Sequence, residues 1–414
     1  MNQTTVTCCI AGGGPAGMMA GFLLARAGID VLVIEKHADF LRDFRGDTIH
    51  PSTLELMFEL GLLSEFLKLP HQEVREIGAV VGGVDLHMAD FTRVPTHCKF
   101  LAFMPQWDFL DFLARQGRRY PTFRLLMQAE VEGLTIEGGR VVGVTAVTPE
   151  GPLDVRASLV IGADGRRSDV RRLAGLAVED VGAPMDVLWF KLTRRAADPA
   201  EMMGYVDVGR MLVMLNRGDH WQCAFIIPKG GFEQTRAAGL PAFRQNVAAL
   251  APFTADRLDE IDTWDNVKLL TVAIDRMPTW HKPGLLCIGD AAHAMSPVGG
   301  VGINLAIQDA VAAANLLAEP LRLETLTEAD LARVQGRRAW PARTTQKMQQ
   351  VVQNQVISRV LAGGGPLKPP FVMTLFNRFA VLRHLAARLI GVGVRPEHVR
   401  TPDAFPLPPL DAGI

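Results

Sequence analysis

The chain opens on a continuous apolar run, Val6 to Ala11 broken only by Thr7, which a glycine turn closes. An apolar stretch without a single charge follows as far as Arg26, and a second short run, Val31-Leu32-Val33-Ile34, ends at Glu35. Short apolar runs bounded by turn residues read as buried strands, and a longer one between them reads as a helix. The pattern predicts a strand over 5–11, a helix to about 27 and a strand over 31–35, the start of a βαβ unit. Ser52-Thr53-Leu54-Glu55 has capping-box spacing and predicts a helix that stops at Gly61. Residues 78–100 read as extended, and 106–118 as a helix carrying Phe109, Leu110, Phe112 and Leu113. Three strands follow, joined by turns at Gly138-Gly139 and Pro149-Glu150-Gly151-Pro152, and the last runs into Gly162-Ala163-Asp164-Gly165.

From about 180 to 275 the texture changes to strand-like runs at 187–192, 203–207, 211–215 and 221–227, which predict an inserted antiparallel sheet. The βα pattern returns at 284–290 and continues into a helix over 303–317. Residues 331–395 read as helices interrupted at Pro341 and at Gly363-Gly364-Gly365-Pro366. The expected fold is α/β: a Rossmann-like dinucleotide-binding domain with an inserted antiparallel β-sheet domain and a C-terminal helical segment. The expected division is 1–77, 101–178 and 276–335 for the first, 78–100 and 179–275 for the second, and 336–414 for the helices.

Composition narrows the partners. Basic and acidic residues number 43 and 44, so no excess of positive charge exists for a nucleic acid backbone. At 48% hydrophobic and 21% charged residues the chain can bury a large core. Five scattered cysteines without a CxxC pair argue against a thiolate zinc site or a disulfide framework and for a reducing cytoplasm. The uncharged N-terminal stretch lacks a basic flank and holds Gly12, Gly13, Gly14, Pro15 and Gly17, so neither a signal peptide nor a transmembrane segment is expected.

The chemistry begins at Gly12-Gly13-Gly14-Pro15-Ala16-Gly17, a G-x-G-x-x-G turn between strand and helix. Small residues there let a pyrophosphate approach the backbone at a helix N-terminus, where free N–H groups and the dipole favour anions. Glu35, with Lys36 beside it, falls at the end of the second strand, where a carboxylate accepts from a ribose hydroxyl. The glycine turn does not separate NAD from FAD. A later loop bears on that choice: Gly289-Asp290-Ala291-Ala292-His293, then Pro297, Gly299, Gly300, Val301, Gly302 and Asn304 at the start of a helix. Such a loop offers N–H groups to a second electron-rich group, for which a flavin pyrimidine edge is suited.

Gly12 to Gly17, Gly162-Ala163-Asp164-Gly165 with Ser168 and Arg171, and Gly289-Asp290 with Pro297 resemble, in order, the three fingerprints of class A flavoprotein monooxygenases of the p-hydroxybenzoate hydroxylase fold. The likeness spans residues 1–340. It implies non-covalent FAD, NADPH or NADH as co-substrate, and hydroxylation of a small aromatic or polycyclic apolar substrate through a flavin C4a-hydroperoxide. It also implies that Arg45, before Gly46, and Gln106 touch the flavin, that Asp164 and Gly165 serve FAD and the nicotinamide, and that Asp290 meets the ribityl–pyrophosphate region. Pro297, Gly300, Gly302 and Asn304 complete the implied set. Many relatives carry Gln or Lys near Val301, so that side-chain contribution is absent here. No thioredoxin-like extension is expected.

The reaction needs no separate nucleophile or metal. For a proton carrier the inserted sheet offers Tyr205, one of two tyrosines, and His220; a half-buried sheet tyrosine and an exposed turn histidine are the plainer readings. His293 reads as a hydrogen-bonding residue, Arg210 as a sheet arginine, and Met202, Met203, Met211 and Met214 as pocket or core. The tail 371–390 is expected to dock on the flavin domain, since Arg378, Arg383 and Arg388 spread around a helix. A monomer or homodimer is expected. Epoxidation, antibiotic modification, prenyl reduction and a non-enzymatic flavin redox sensor remain as alternatives, whereas halogenation lacks its Trp-x-Trp-x-Ile-Pro signature.

Overall fold

The structure, a computed structural model, describes residues 2–41, 48–199, 202–363 and 371–406. Five parallel strands form the centre of the larger sheet, in the order Leu285–Cys287, Gly151–Gly162, Asn2–Ala11, Val31–Ile34 and Phe123–Leu126. The antiparallel meander Glu130–Glu137, Arg140–Thr148 and Gly151–Gly162 extends it. Parallel strands are covered on both faces, which is why Val31 to Ile34 are all apolar and all buried.

The helix Pro15–Arg26 has no polar face because it has no free one: Ala16 to Ala25 are all buried. It packs between the sheet and the helix Gly302–Arg322. Met18, Met19, Phe22, Leu23 and Leu24 are 0–2% exposed, and each large side chain so buried contributes about 1.5–3 kcal/mol. Among the described residues one helix, Val298–Arg322, is long and apolar enough to cross a membrane, and 67% of its apolar window lies inside the protein.

The second sheet has seven strands, in the order Lys268–Leu270, Met185–Thr193, His220–Pro228, Arg210–Asn216, Met202–Asp207, Glu76–Val81 and Val84–Asp90. Its pairs are antiparallel except one: Met202–Asp207 runs parallel to Glu76–Val81, because these strands come from segments far apart in the chain. One face packs under the helix Leu240–Leu250 through Leu188, Phe190, Leu212, Phe225 and Phe243. The opposite face carries Val187, Trp189, Met211, Val213, Ala224 and Ile226, and meets Val298 and Ile357.

Three expectations fail for identifiable reasons. The helix expected from a Ser52 cap starts at Pro51, with His50 at the cap position and no capping side chain. Glu55 instead accepts from the His97 backbone at 2.9 Å, and Thr53 Oγ1 donates to Asn304 Oδ1 at 2.7 Å. A complete capping box does exist at Thr327 and Asp330. Pro341 does not interrupt its helix, which runs unbroken over Glu328–Val352. Pro341 is buried together with Leu331, Val334, Arg338 and Ala342, and this packing outweighs the lost backbone hydrogen bond. The tail forms two helices, Phe371–Arg378 and Ala380–Gly391, that dock mainly on the edge strand Val84–Asp90. Asn377 Oδ1 accepts from the His87 N–H at 2.8 Å, and its Nδ2 donates to the Asp85 carbonyl at 2.8 Å. The end of the second helix reaches the first sheet's side, where His50 Nδ1 lies 2.8 Å from the Ile390 carbonyl.

Candidate flavin site

Register alone gathers the motifs. Ala11 pairs with Gly162 and Ile34, and Gly162 pairs with Cys287, so all three motif loops leave the same C-terminal edge of the sheet. Ligands bind beyond that edge in open α/β sheets. Each glycine of the first turn has its own reason. Gly12 has φ 108°, and a Cβ there would lie 2.4 Å from the Ala163 carbonyl oxygen. A Cβ on Gly17 would lie 1.9 Å from the Gly12 carbonyl oxygen. Gly14 has nothing within 4 Å of a Cβ, so it forms the open side of the turn. Gly14 is also the cap of the helix Pro15–Arg26, and no side chain caps it. An uncapped helix start facing open space fits a pyrophosphate.

Glu35 closes the turn from the other side. Its Oε2 accepts the Gly13 N–H at 2.9 Å and its Oε1 the His37 N–H at 3.0 Å. Lys36 points away, into an exposed ion pair with Glu130 at 3.6 Å. Asp164 is bound into its own loop. Its Oδ1 accepts the Ser168 hydroxyl and its Oδ2 the Val170 N–H at 3.0 Å, so it caps the helix Asp169–Leu173 together with Ser168. Burial raises its pKa above the ordinary value, against those two hydrogen bonds. Gly165 follows with φ 86°. Arg171 joins this loop to the third motif, donating to the Ala291 carbonyl at 3.0 Å and the Arg166 carbonyl at 2.9 Å.

Gly289 packs against the first motif, since its Cβ position is 3.1 Å from the Ala16 Cβ. Asp290 lies 3.6 Å from Arg166, both about one-third exposed at 32% and 35%. Pro297 leads the short turn Val298–Gly300, and Gly302 opens the long helix. Gly300 sits against Thr48: a Cβ there would lie 3.1 Å from the Thr48 Oγ1. Asn304 fixes that approach with both ends of its amide. Its Oδ1 accepts from the His50 N–H at 2.9 Å and from Thr53, and its Nδ2 donates to the Thr48 carbonyl at 3.1 Å. Asn304 therefore shapes the loop through protein contacts. Gln106 is the first residue of the helix Gln106–Gly117 and is half-buried. Arg45 and Gly46 lie outside the described residues.

Of the two proposed proton carriers, Tyr205 is turned away from this site. Tyr205 lies on the helix-covered face of the second sheet, 7% exposed, its ring 5.9 Å from Phe253. Burial first, then the Asp198, Asp85 and Cys223 charges, push its pKa up to about 12. His220 begins its strand in contact with Asp219 Oδ1 at 2.7 Å. Met211 and Met214 point to opposite faces, and the side chains of Met202 and Met203 lie outside the described residues. The sequence reading missed Asp309 and Arg338, buried at 0% and 1% exposure behind Gly289. An aspartate inside the apolar run Ile307 to Ala314 was the available signal.

A Rossmann-type sheet edge with an open, uncapped helix start and a second glycine loop across from it defines an FAD-binding protein. The sequence model described as "FAD binding domain" matches residues 4–346. The chain belongs to this family, the FAD-dependent monooxygenases of class A. It is 34% identical over 382 residues to the 6-methylpretetramide 4-monooxygenase of Streptomyces rimosus, covering 91% of each chain. It is 27% identical to the rifampicin monooxygenase of Streptomyces venezuelae, over 73% of this chain and 61% of the relative. The fold is shared with the anhydrotetracycline hydroxylase OxyS of Streptomyces rimosus, with a TM-score of 0.73, 22% identity, and 95% of this chain and 77% of that one covered.

Proposed function

We propose that this FAD-dependent monooxygenase uses NADH or NADPH and dioxygen to hydroxylate a fused-ring aromatic substrate held between the flavin loop and the second sheet. The observation that carries the reading is the apolar sheet face of Val187, Trp189, Met211, Val213, Ala224 and Ile226, packed against Val298 of the flavin loop. A flat, apolar wall beside that loop suits a planar polycyclic molecule, and the relative that acts on 6-methylpretetramide supports the same class.

Bound FAD supplies the hydride-accepting and oxygen-transferring chemistry. The chain's own residues bind and orient. The Gly12 to Gly17 turn holds the pyrophosphate, Glu35 accepts from the adenosine ribose, and Asp290 meets the ribityl–pyrophosphate region. The N–H groups of Val301 and Gly302 would be offered to the flavin's pyrimidine edge, and the sheet face would keep water from the reacting carbon. Asp164 holds its helix and lends the loop its shape for the nicotinamide.

The test is a screen of polycyclic phenols for stimulated NADH and NADPH consumption, with product mass as the readout. A product heavier by one oxygen atom supports hydroxylation. A product heavier by two hydrogen atoms, or consumption that no compound stimulates, contradicts it.

A further inference from the structure

The most densely charged buried cluster among the described residues lies behind the flavin site and draws in the end of the chain. Asp309 Oδ2 accepts the Gly289 N–H at 3.1 Å and lies 2.6 Å from His293 Nε2. Its Oδ1 accepts Arg338 Nε at 2.9 Å. Arg338 donates onward to the Arg395 carbonyl at 3.0 Å and to Glu397 Oε1 at 3.3 Å. Glu397 also accepts from Arg337 at 2.6 and 3.1 Å, and its backbone N–H donates to Gln308 Oε1. Asp309, Arg338 and Glu397 are 0%, 1% and 3% exposed. His50, through the Ile390 carbonyl, ties the same chain end to the loop around Asn304. The family match stops at residue 346, so Ile390 to Glu397 lie beyond the part that defines the family.

Buried charges hold their geometry only as a complete set, because a charge left without its partner has neither water nor a counter-ion. Asp309 is the hydrogen-bond partner of the Gly289 N–H, and its orientation depends on Arg338, whose charge is in turn matched by Glu397. We propose that Glu397 is a positioning residue of the flavin site: acting through Arg338 and Asp309 it sets the Gly289 turn, so that FAD and the segment Arg395–Glu397 bind the rest of the protein cooperatively. This rests on the FAD reading given above. Coupling of this kind is reciprocal.

Two measurements on the full chain test it. Apo-protein, stripped of flavin, is titrated with FAD and followed by flavin fluorescence. Glu397→Gln is expected to bind FAD about 5- to 150-fold more weakly than the wild type. In the wild type, amide exchange at residues 395–399 is expected to slow when FAD is added. A merely structural Glu397 would lower the melting temperature yet leave the FAD affinity of the folded protein and the FAD-dependence of that exchange unchanged, and either unchanged value overturns the proposal. Should Glu397→Gln not fold, the wild-type exchange experiment decides alone. A wild type that takes up no FAD overturns the flavin reading itself, whereas tight binding by both proteins overturns only the role of Glu397.

Discussion

Replacing Glu35 with alanine separates the turn contacts that its carboxylate makes from the ribose contact that we propose for it. The side chain is 12% exposed and closes the glycine turn by accepting the Gly13 N–H at 2.9 Å and the His37 N–H at 3.0 Å. On the proposed reading it would also accept from the adenosine ribose in the FAD complex, a charge-assisted hydrogen bond worth about 1.5–3 kcal/mol. Its loss weakens FAD binding by about 10- to 150-fold. Loss of the Gly13 contact costs about 1 kcal/mol of stability in the apo-protein as well, because a backbone donor is left without its partner. Glu35→Gln keeps an acceptor for Gly13, loses the one for His37 and drops the charge, so both its FAD affinity and its apo-stability are expected between wild type and Glu35→Ala. Titration of apo-protein with FAD gives the first quantity, and thermal unfolding without FAD gives the second. An unchanged FAD affinity in Glu35→Ala would refute the ribose contact, and an apo-protein as stable as wild type would refute the turn-closing role.

Other residues give independent checks. Asp164→Ala is expected to lose about 0.5–2 kcal/mol of stability with its helix cap and to slow flavin reduction by the nicotinamide; a normal rate in anaerobic stopped-flow would leave Asp164 its cap alone. Asp198 is buried against Arg257, which donates to it at 2.7 and 2.9 Å. Burial alone would raise its pKa, but Arg257, the Arg195 N–H and Trp221 Nε1–H bring it down to about 2. A folded-state pKa below the unfolded one means this stabilisation is present above about pH 4 and is lost as pH falls toward the folded value. Asp198→Ala, which leaves Arg257 only the half-exposed Asp256 as a carboxylate partner, is expected to cost up to about 3–5 kcal/mol. In Asp198→Asn the loss of stability between about pH 4 and pH 2 should be smaller than in wild type, and parallel curves would contradict the pairing. Tyr205→Phe is expected to keep full turnover, because the phenol lies on the far face of its sheet; a collapse in kcat with an intact fold would return Tyr205 to the chemistry.

The flavin turns were legible because their signals are local. Gly12, Gly14 and Gly17 each answer a constraint within one strand–turn–helix, and the apolar runs on either side mark buried parallel strands whatever the rest of the chain does. Glu35 was legible for the same reason, as the residue where the second strand must end. Features set by long-range packing were not. Ser52 matches a cap by spacing, but Pro51 starts the helix and Asn304, from a distant segment, claims Thr53. Pro341 carries a helix-breaking signal that burial overrides. Asn304 lies in a cofactor-like motif, yet both ends of its amide are spent on the chain around Thr48. The face on which Tyr205 lies depends on strand register, which a lone sheet tyrosine does not announce. The Asp309, Arg338 and Glu397 cluster joins three segments remote in sequence, and only the oddity of a charge in an apolar helix hinted at it.

On the proposed reading this chain transfers one atom of dioxygen to a fused-ring aromatic molecule by way of bound FAD. The most direct measurement is turnover of such a substrate by the purified, yellow holoprotein with NADH or NADPH under isotopically labelled dioxygen, read by mass spectrometry. The account requires a product that carries a single labelled oxygen atom, formed only when FAD is bound. A product without the label, or label incorporated equally by protein stripped of FAD, would contradict it.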